Sequence, residues 1–278
     1  MSYWRIDDKQ VAQFQQDGYL LVSGLLNPDE TELLIDATRD DGHLLDQAIL
    51  DHADPQGNPV KLAAWNHPGD DIYGAISRCE RLVGASERIL DDEVYHYHSK
   101  MILKEAREGG AWEWHQDYGY WYQNGLLYPD LVSVSIAIDP ATQQNGCLQL
   151  LRGSHQMGRI DHGKYDNRIS ADPDRTGEAV KRLELVYAEM SSGDALFFHA
   201  NTLHRSDANT TDLPRLSLIC CYNARRNDPY KDSIHPRFTP LEKLPDDAVC
   251  EVGKRSSDPH KSFVHPEGEG GDSFKELN

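Results

Sequence analysis

From residue 93 onward, the chain consists of short runs rich in Tyr, Val, Ile and Leu, which are separated by turn-forming residues. These apolar side chains favour strands, and the Gly, Pro, Asn and Asp residues between the runs favour tight reversals of the chain. A succession of short strands punctuated in this way predicts a β-barrel or a β-sandwich. The predicted strands are 94–104, 111–118, 131–138, 146–151, 194–199 and 215–222.

The residues before this region are expected to be mainly helical. Residues 7–17 read as a short helix that ends at a glycine, and 19–22 is a short apolar strand candidate. Asn27 can cap a second helix, because Pro follows it at the first helical position. Residues 74–90 carry apolar side chains at helical spacing and predict a further helix that faces the core. Residues 41–72 are mostly polar and are expected to be irregular.

No internal repeat is visible along the 278 residues, so we expect one domain of helices packed on a β-core. The segment 156–182 is rich in charge and has no clear apolar period. It is either a lid over a site or a solvated excursion, and the sequence favours the second. The tail from Glu251 is polar and is expected to be flexible.

The charge of the chain narrows the classes of partner. Its 28 basic and 46 acidic residues give a formal net charge of −18, which repels phosphate backbones and anionic lipids and disfavours nucleic acid and membranes. No stretch approaches the ~20 apolar residues of a membrane span, and the first residues lack a secretory pattern. The five cysteines are scattered without a CxxC pair, so a reducing, cytoplasmic setting fits best.

His115 and Asp117 are separated by one residue in a predicted strand. Alternate side chains of a strand point to one face, so this imidazole and this carboxylate can reach one cation. His204, which follows an apolar run, is a candidate third ligand, and His199 is its rival. Two histidines and one carboxylate form the facial triad of non-haem Fe(II). A His-x-Asp pair also arises by chance as a hydrogen-bonded surface pair.

Arg215 opens the apolar run Leu216-Ser217-Leu218-Ile219 and so enters the β-core. A buried guanidinium needs an anion, and its planar fork matches a carboxylate. Ser206, two residues after His204, could add a hydroxyl to the same carboxylate. Taken alone, Arg215 is explained equally well by a structural ion pair with an aspartate at the edge of the core.

Taken together, these residues resemble the phytanoyl-CoA dioxygenase (PhyH) family of Fe(II)/2-oxoglutarate oxygenases, and the likeness is closest to its ectoine hydroxylase branch. The resemblance spans most of the chain. The combined spacing is specific, although each motif alone is not. The matching motifs are Asp17-Gly18-Tyr19, Ser99-Lys100…Lys104, His115-Gln116-Asp117, Trp121, Asn145-Gly146, Gly153-Ser154-His155, His204-x-Ser206, Arg215 and Tyr222-Asn223-Ala224.

The resemblance implies a double-stranded β-helix, the cupin-like jelly roll, and hence a mainly β fold with flanking helices. We expect a single Fe(II)/2-oxoglutarate dioxygenase domain over residues 1–278. Within it, 1–92 is a mainly helical flank, 93–225 is the jelly-roll core and 226–278 is a C-terminal extension.

The resemblance also implies a reaction. His115, Asp117 and His204 would bind Fe(II), and His204 is preferred over His199 because the Ser and Arg offsets match from there. With 2-oxoglutarate and O2 as co-substrates, the enzyme would hydroxylate an unactivated C–H of a small polar metabolite, amino-acid-like or compatible-solute-like, and release succinate and CO2. Asp117 argues against halogenation, because related halogenases replace this carboxylate with a small residue.

The remaining site residues follow from the same resemblance. Arg215 and Ser206 would bind the far carboxylate of 2-oxoglutarate, and Lys104 would contact this co-substrate. The alternative for Lys104 is an ordinary exposed lysine on a strand. Ectoine hydroxylases have a substrate-contacting glutamine where this chain has His98, which disfavours ectoine itself. Trp121 matches an active-site tryptophan of that branch, so His98 and Trp121 are the candidate substrate residues.

Three alternatives stay open from the sequence. Within the family, the substrate could be an acyl-CoA thioester, although a strongly acidic chain suits a CoA phosphate site poorly. Outside the family, the same ligands could hold zinc in a hydrolase, or the chain could be a non-catalytic, cupin-like binding protein. The sequence makes no prediction of the oligomeric state.

Overall fold

The computed structural model has two antiparallel sheets at its centre, with helices packed on the larger one. It describes residues 3–41, 44, 49–54, 56–165, 168–254 and 261–263. The helices are α1 (Asp8–Asp17), α2 (Pro28–Asp40), α3 (Ile72–Arg78), α4 (Glu80–Leu90), α5 (Asp117–Trp121), α6 (Pro173–Arg182) and α7 (Ala248–Gly253). The strands are β1 (Tyr19–Val22), β2 (Ile49–Ala53), β3 (Pro59–Trp65), β4 (Val94–Lys104), β5 (Trp112–His115), β6 (Leu131–Ala137), β7 (Leu148–Leu151), β8 (His162–Tyr165), β9 (Arg168–Ala171), β10 (Leu185–Ala188), β11 (Ala195–His199), β12 (His204–Ser206) and β13 (Arg215–Ala224).

The larger sheet has the strand order β1-β11-β6-β13-β4-β3-β2, and the smaller has the order β10-β7-β12-β5. The two sheets share an apolar cluster to which Phe198 of β11 and Leu150 of β7 belong. Strands β8 and β9 form a separate hairpin. The prediction of a mainly β fold with flanking helices is confirmed, and the two sheets are consistent with a jelly roll.

Strand β13 shows how the sequence separates a stabilising face from a functional face. Leu216 and Leu218 point into the main apolar core beneath the helices. Arg215, Ser217 and Ile219 alternate with them and line a cavity inside the barrel. Both faces of β13 are buried, although the face that lines the cavity carries the polar or charged side chains of Arg215 and Ser217.

Two predictions about the N-terminal region are wrong. Residues 41–72 were expected to be irregular, but they contain β2 and β3, which extend the larger sheet by pairing β3 with β4. Their stabilising partner is distant in sequence, so local composition does not reveal it. The helix predicted over 74–90 breaks at Cys79, where the backbone of Leu244 pairs with it and the chain becomes extended.

Two predictions about the later segments also need correction. The strand predicted over 111–118 ends at His115, and the chain continues as α5. The segment 156–182 is not a solvated excursion but contains the β8–β9 hairpin and α6. Its few apolar side chains, Ile160 among them, pack into a small core. They are spread over a loop, a hairpin and a helix, so no single period marks them.

The expected flexible tail lies largely outside the described residues. Within it, Glu251 belongs to α7, and the ammonium of Lys261 lies 2.6 Å from a carboxylate oxygen of Asp71. In the described part of the chain, no helix is both long enough and apolar enough to cross a membrane.

A buried charge cluster ties the helical layer together. Asn27 caps α2, and Glu30 completes the capping box by accepting a hydrogen bond from the Asn27 amide at 2.9 Å. The other carboxylate oxygen of Glu30 accepts from Arg81 of α4 at 2.7 Å, and Asp246 lies 3.6 Å from the same guanidinium. These three charged side chains are almost fully buried, and Asp246 also pairs with Arg5 at 2.6 Å, so it is Glu30 that depends on Arg81 for its counter-charge.

We therefore expect Arg81→Met to destabilise the protein strongly. Breaking a buried ion pair by removing one partner typically costs about 3–5 kcal/mol, because the remaining charges stay buried. Arg182→Met is the matched control, since Arg182 pairs with Glu178 on the exposed face of α6 and such pairs contribute roughly 0–1 kcal/mol. Urea unfolding measures both variants. Equal losses would contradict this account of the cluster.

Candidate metal centre

The pairing of β5 with β12 brings two histidines face to face. In this antiparallel pair, His115 lies directly opposite His204, and their ring centroids are 4.0 Å apart. Although β5 ends at His115, the backbone of Gln116 is still extended, so Asp117 at the start of α5 points to the same side as His115. His115, Asp117 and His204 are buried, and their ligand atoms lie within 4.8 Å of one another.

Backbone carbonyls fix the orientation of both imidazole rings. His115 Nδ1 lies 2.7 Å from the carbonyl oxygen of Glu113, and His204 Nδ1 lies 2.9 Å from that of Thr202. A carbonyl can only accept, so each Nδ1 carries the proton and each Nε2 keeps its lone pair. Burial lowers the pKa of both histidines, which favours the neutral rings that metal binding requires.

The carboxylate of Asp117 is held by a neighbouring strand. Its Oδ2 accepts a hydrogen bond from the Ser133 hydroxyl of β6 at 2.8 Å. Its Oδ1 lies 3.9 Å from His204 Nε2 and is the oxygen turned towards the histidine pair. Two neutral imidazoles and one carboxylate, each oriented by a second residue, could hold one divalent transition metal with positions left open.

Gln116 anchors the turn between the two predicted ligands, and sequence reasoning gave it no role. Its amide nitrogen donates to the carbonyls of Gly158 and Asn201, both at 2.8 Å, and its amide oxygen accepts from the Ile160 backbone at 2.7 Å. The Gln116 backbone N–H also donates to His162 Nε2 at 3.0 Å. The sequence gives one signal for these hydrogen bonds. Gln116 stands between two residues that point into the site, so its own side chain must point to the opposite face of the strand.

Arg215 faces the same cavity as the three predicted ligands. It is 3% exposed, and its Nε has no hydrogen-bond partner among the described residues. Within that part of the chain, no carboxylate forms an ion pair with it, so the structural ion pair considered from the sequence is not found. Burial lowers the pKa of Arg215 to about 10, which is far enough above neutrality to keep its charge. Ser206 lines the cavity beside it.

Lys104 lies next to Arg215, but its ammonium is held by the backbone. The two residues are paired across β4 and β13, and the Lys104 ammonium donates to the backbone carbonyls of Gly110 and Asp207. Burial, followed by the nearby charge of Arg215, lowers the pKa of Lys104 to about 7. Lys104 is therefore buried, and the alternative that it is an ordinary exposed lysine of a strand is wrong. Its contact with the co-substrate stays a prediction.

His98 and Trp121 lie together in a buried aromatic cluster beside the cavity. Their ring centroids are 5.4 Å apart. A β-bulge in β4 inserts Tyr97 beside His98, and His235, which follows β13 in the chain, stacks on Tyr97 with ring centroids 4.4 Å apart. Bulges often re-aim side chains next to active sites. Sequence reasoning missed His235, because it lies in an irregular segment without a recognisable motif.

His199, the rival for the distal position, lies elsewhere. Its ring packs against His155 at 5.3 Å and against Phe14 at 6.4 Å, and its Nδ1 accepts from the Asn201 backbone. Among the described residues, the cluster able to hold a metal contains His204 and not His199.

The chemistry of the cavity fits one class of enzyme. A metal site with open positions, beside a buried cation that lacks a counter-ion, suits an iron centre that must also bind a dicarboxylate. The protein is an Fe(II)/2-oxoglutarate-dependent dioxygenase, which uses O2. It belongs to the phytanoyl-CoA dioxygenase (PhyH) family, which it matches over residues 14–217. The family, the enzyme class and the cofactors predicted from the sequence are thereby confirmed.

Known relatives act on small molecules. The chain is 29% identical to an L-proline trans-4-hydroxylase from Streptomyces griseoviridis over 83% of this chain and 90% of that protein. It is 30% identical to an ectoine dioxygenase from Halomonas elongata over 86% of this chain and 77% of that protein. The crystal structure of EctD from S. alaskensis with 2-oxoglutarate and 5-hydroxyectoine shares the fold, with a TM-score of 0.73 and 24% identity over 88% of this chain and 90% of that one.

We expect Ser133→Ala to weaken Fe(II) binding by about 10- to 100-fold, because removing a residue that orients a metal ligand typically has this effect. Ser135→Ala is the matched control. It makes the same change two residues along β6, and the Ser135 hydroxyl has no hydrogen-bond partner among the described residues. Competition with a chromophoric chelator under nitrogen measures both affinities. Equal affinities in the two variants would remove Ser133 from the support of the site.

Proposed function

We propose that this dioxygenase hydroxylates an unactivated C–H of a small polar metabolite, amino-acid-like or compatible-solute-like, and converts 2-oxoglutarate and O2 to succinate and CO2. The observation that carries the proposal is the shared cavity of the three candidate ligands and the buried Arg215. Relatives that hydroxylate proline or act on ectoine support a substrate of this size and polarity.

In this proposal, His115, Asp117 and His204 would hold Fe(II). The burial of all three ligands excludes bulk water from that side, and their hydrogen bonds hold them in place before the metal arrives. Iron held there would supply the O2 chemistry of the reaction, in which oxidative decarboxylation of 2-oxoglutarate provides two electrons and one oxygen atom enters the substrate as a hydroxyl.

Arg215 and Ser206 bind the distal carboxylate of 2-oxoglutarate. The missing counter-ion of Arg215 supports this role, because a buried guanidinium gains most from a planar anion that reaches it through the cavity. A bidentate contact there would hold one end of the co-substrate and leave its keto-acid end near the candidate metal ligands. The cavity would thereby select a diacid of this length. Lys104, the cross-strand neighbour of Arg215, is the third residue proposed to contact this co-substrate.

The setting proposed for the enzyme is the reducing cytoplasm. All five cysteines are free thiols, and four of them are buried. Burial raises the pKa of Cys220 to about 12, which leaves its thiol protonated and weakly reactive. A small-molecule substrate, without nucleic acid or membrane, agrees with the net charge of −18.

The function is tested by a 2-oxoglutarate-consumption screen against amino acids, betaines, ectoine-like solutes and acyl-CoAs. We expect one small polar compound to give succinate together with a product that is one oxygen heavier. Asp117→Ala should abolish this product, because the iron loses its carboxylate ligand. Asp161→Ala, at an exposed carboxylate, should not. Coupled turnover with acyl-CoAs alone would refute the proposed substrate class, and wild-type turnover by Asp117→Ala would refute the proposed ligand set.

We also expect Arg215→Met to raise the KM for 2-oxoglutarate by at least about 30-fold, since truncating one partner of a buried charge pair costs about 2–5 kcal/mol. Arg205→Met provides the comparison. Arg205 lines the same cavity, but it already interacts with Gln149 at 2.9 Å and lies 3.7 Å from Asp207. Initial rates against 2-oxoglutarate concentration decide the matter. A larger effect in Arg205→Met would show that Arg205, and not Arg215, binds the distal carboxylate of 2-oxoglutarate.

A further inference from the structure

A chain of hydrogen bonds lies behind the candidate ligand Asp117 and ends at a cysteine that neither the metal nor the co-substrate assignment uses. The Ser133 hydroxyl donates to Asp117 Oδ2 at 2.8 Å, and the sulfur of Cys221 lies 3.4 Å from the same hydroxyl oxygen. Asp117 is 3% exposed, and Ser133 and Cys221 are 0% exposed. Bulk water therefore does not compete for these contacts.

The pairing of β13 with β6 places the cysteine. Cys221 stands directly opposite Ser133 in this antiparallel ladder, whose register is continuous from Ser217 to Asn223. Side chains of directly opposed residues lie on the same face of a sheet, so the thiol and the hydroxyl meet across two paired strands. The bulge in β4 lies beside Cys221 on the other edge of β13 and leaves the ladder with β6 intact. The contact is thus built into the sheet.

The count of protons decides the direction of the hydrogen bond between the thiol and the hydroxyl. A carboxylate that serves as a metal ligand is ionised and can only accept, so the single hydroxyl proton of Ser133 goes to Asp117. The Ser133 oxygen then offers only lone pairs to Cys221, and the thiol must donate. Burial raises the pKa of the Cys221 thiol, which therefore keeps the proton that this donation needs.

The thiol also suits its apolar surroundings. Cys221 packs in the buried cluster that contains Tyr97 and Trp121. A cysteine behaves there as a small apolar side chain and still carries one weak donor. The neighbouring Cys220 faces the opposite way, into the main core beneath the helices. The two adjacent cysteines therefore form a matched pair, of which only Cys221 contacts Ser133.

We propose that Cys221 is a positioning residue of the metal centre, which acts on Asp117 through Ser133. This inference rests on the proposed function, since it takes Asp117 as a ligand of Fe(II). By donating to Ser133, the thiol directs the hydroxyl proton towards Asp117 and strengthens that hydrogen bond, because hydrogen bonds in a chain polarise one another. Asp117 Oδ2 is thereby held at β6, and Oδ1 stays turned towards the histidine pair.

The first test is a double-mutant cycle on the affinity of the full-length enzyme for Fe(II), measured with a chromophoric chelator under nitrogen. Cys221→Ala should weaken Fe(II) binding by about 2- to 10-fold, the range expected for one neutral hydrogen bond. Cys221→Ser carries a hydroxyl donor at the same position and should bind Fe(II) as tightly as the wild type. In a Ser133→Ala background, Cys221→Ala should have no further effect, because the residue through which it acts is gone. Cys220→Ala, the control, should leave the affinity unchanged.

The second test observes the thiol itself in the metal-free enzyme. The infrared S–H stretching band of Cys221 is the band that Cys221→Ser removes from the wild-type spectrum. Ser133→Ala should shift this band to higher frequency, because the thiol loses its acceptor, whereas Cys220→Ala should leave it in place. This measurement needs neither iron nor 2-oxoglutarate, so its result is independent of the proposed function.

Each other outcome overturns the role of Cys221. Unchanged Fe(II) affinity in Cys221→Ala, additive losses in the double variant, or a Cys221→Ser variant as weak as Cys221→Ala would leave Cys221 with a packing role only. An S–H band that Ser133→Ala does not move would exclude the hydrogen bond. If Cys221→Ala fails to fold, Cys221→Ser and the infrared comparison still decide. A wild type that binds no Fe(II) would refute the proposed ligand set itself, whatever the infrared bands show.

Discussion

The backbone pairing of β5 with β12 is the constraint on which the rest of the site depends. It sets His115 opposite His204, although the two histidines are far apart in sequence. The extended backbone of Gln116 then adds Asp117 to the same side, and the four hydrogen bonds of Gln116 prevent this turn from relaxing. A slip of one residue would turn the histidines to opposite faces and dissolve the cluster.

The buried cations of the cavity lie on the strand faces opposite the apolar core. In β13, the face that stabilises the protein is apolar and packs beneath the helices, while the opposite face carries Arg215 into the cavity. Lys100 is carried in the same way by β4. Buried cations are costly unless they meet anions, so this interior is destabilising on its own and is suited to ligands that bring negative charge. The favourable charge pairing of the helical layer, around Arg81 and Glu30, lies in a separate part of the molecule.

Much of this organisation is readable from the sequence, but unevenly. The strand predicted at 94–104 has the observed bounds, because an apolar run between turn signals is a local property. The candidate metal ligands were found from a two-residue spacing and a resemblance. The clamp of Gln116 by His162, the break at Cys79 and the aromatic contact of His235 depend on partners distant in sequence. No local pattern encodes such contacts, and the same holds for the edge strands β2 and β3.

The central claim is that a single cavity binds Fe(II) and 2-oxoglutarate together. Anaerobic titration of the metal-free protein with Fe(II) in the presence of 2-oxoglutarate tests it most directly. The account predicts a weak visible charge-transfer band that saturates at one iron per chain, needs both components and does not form with zinc. A band that is absent at saturating iron, or one that forms without 2-oxoglutarate, would contradict it.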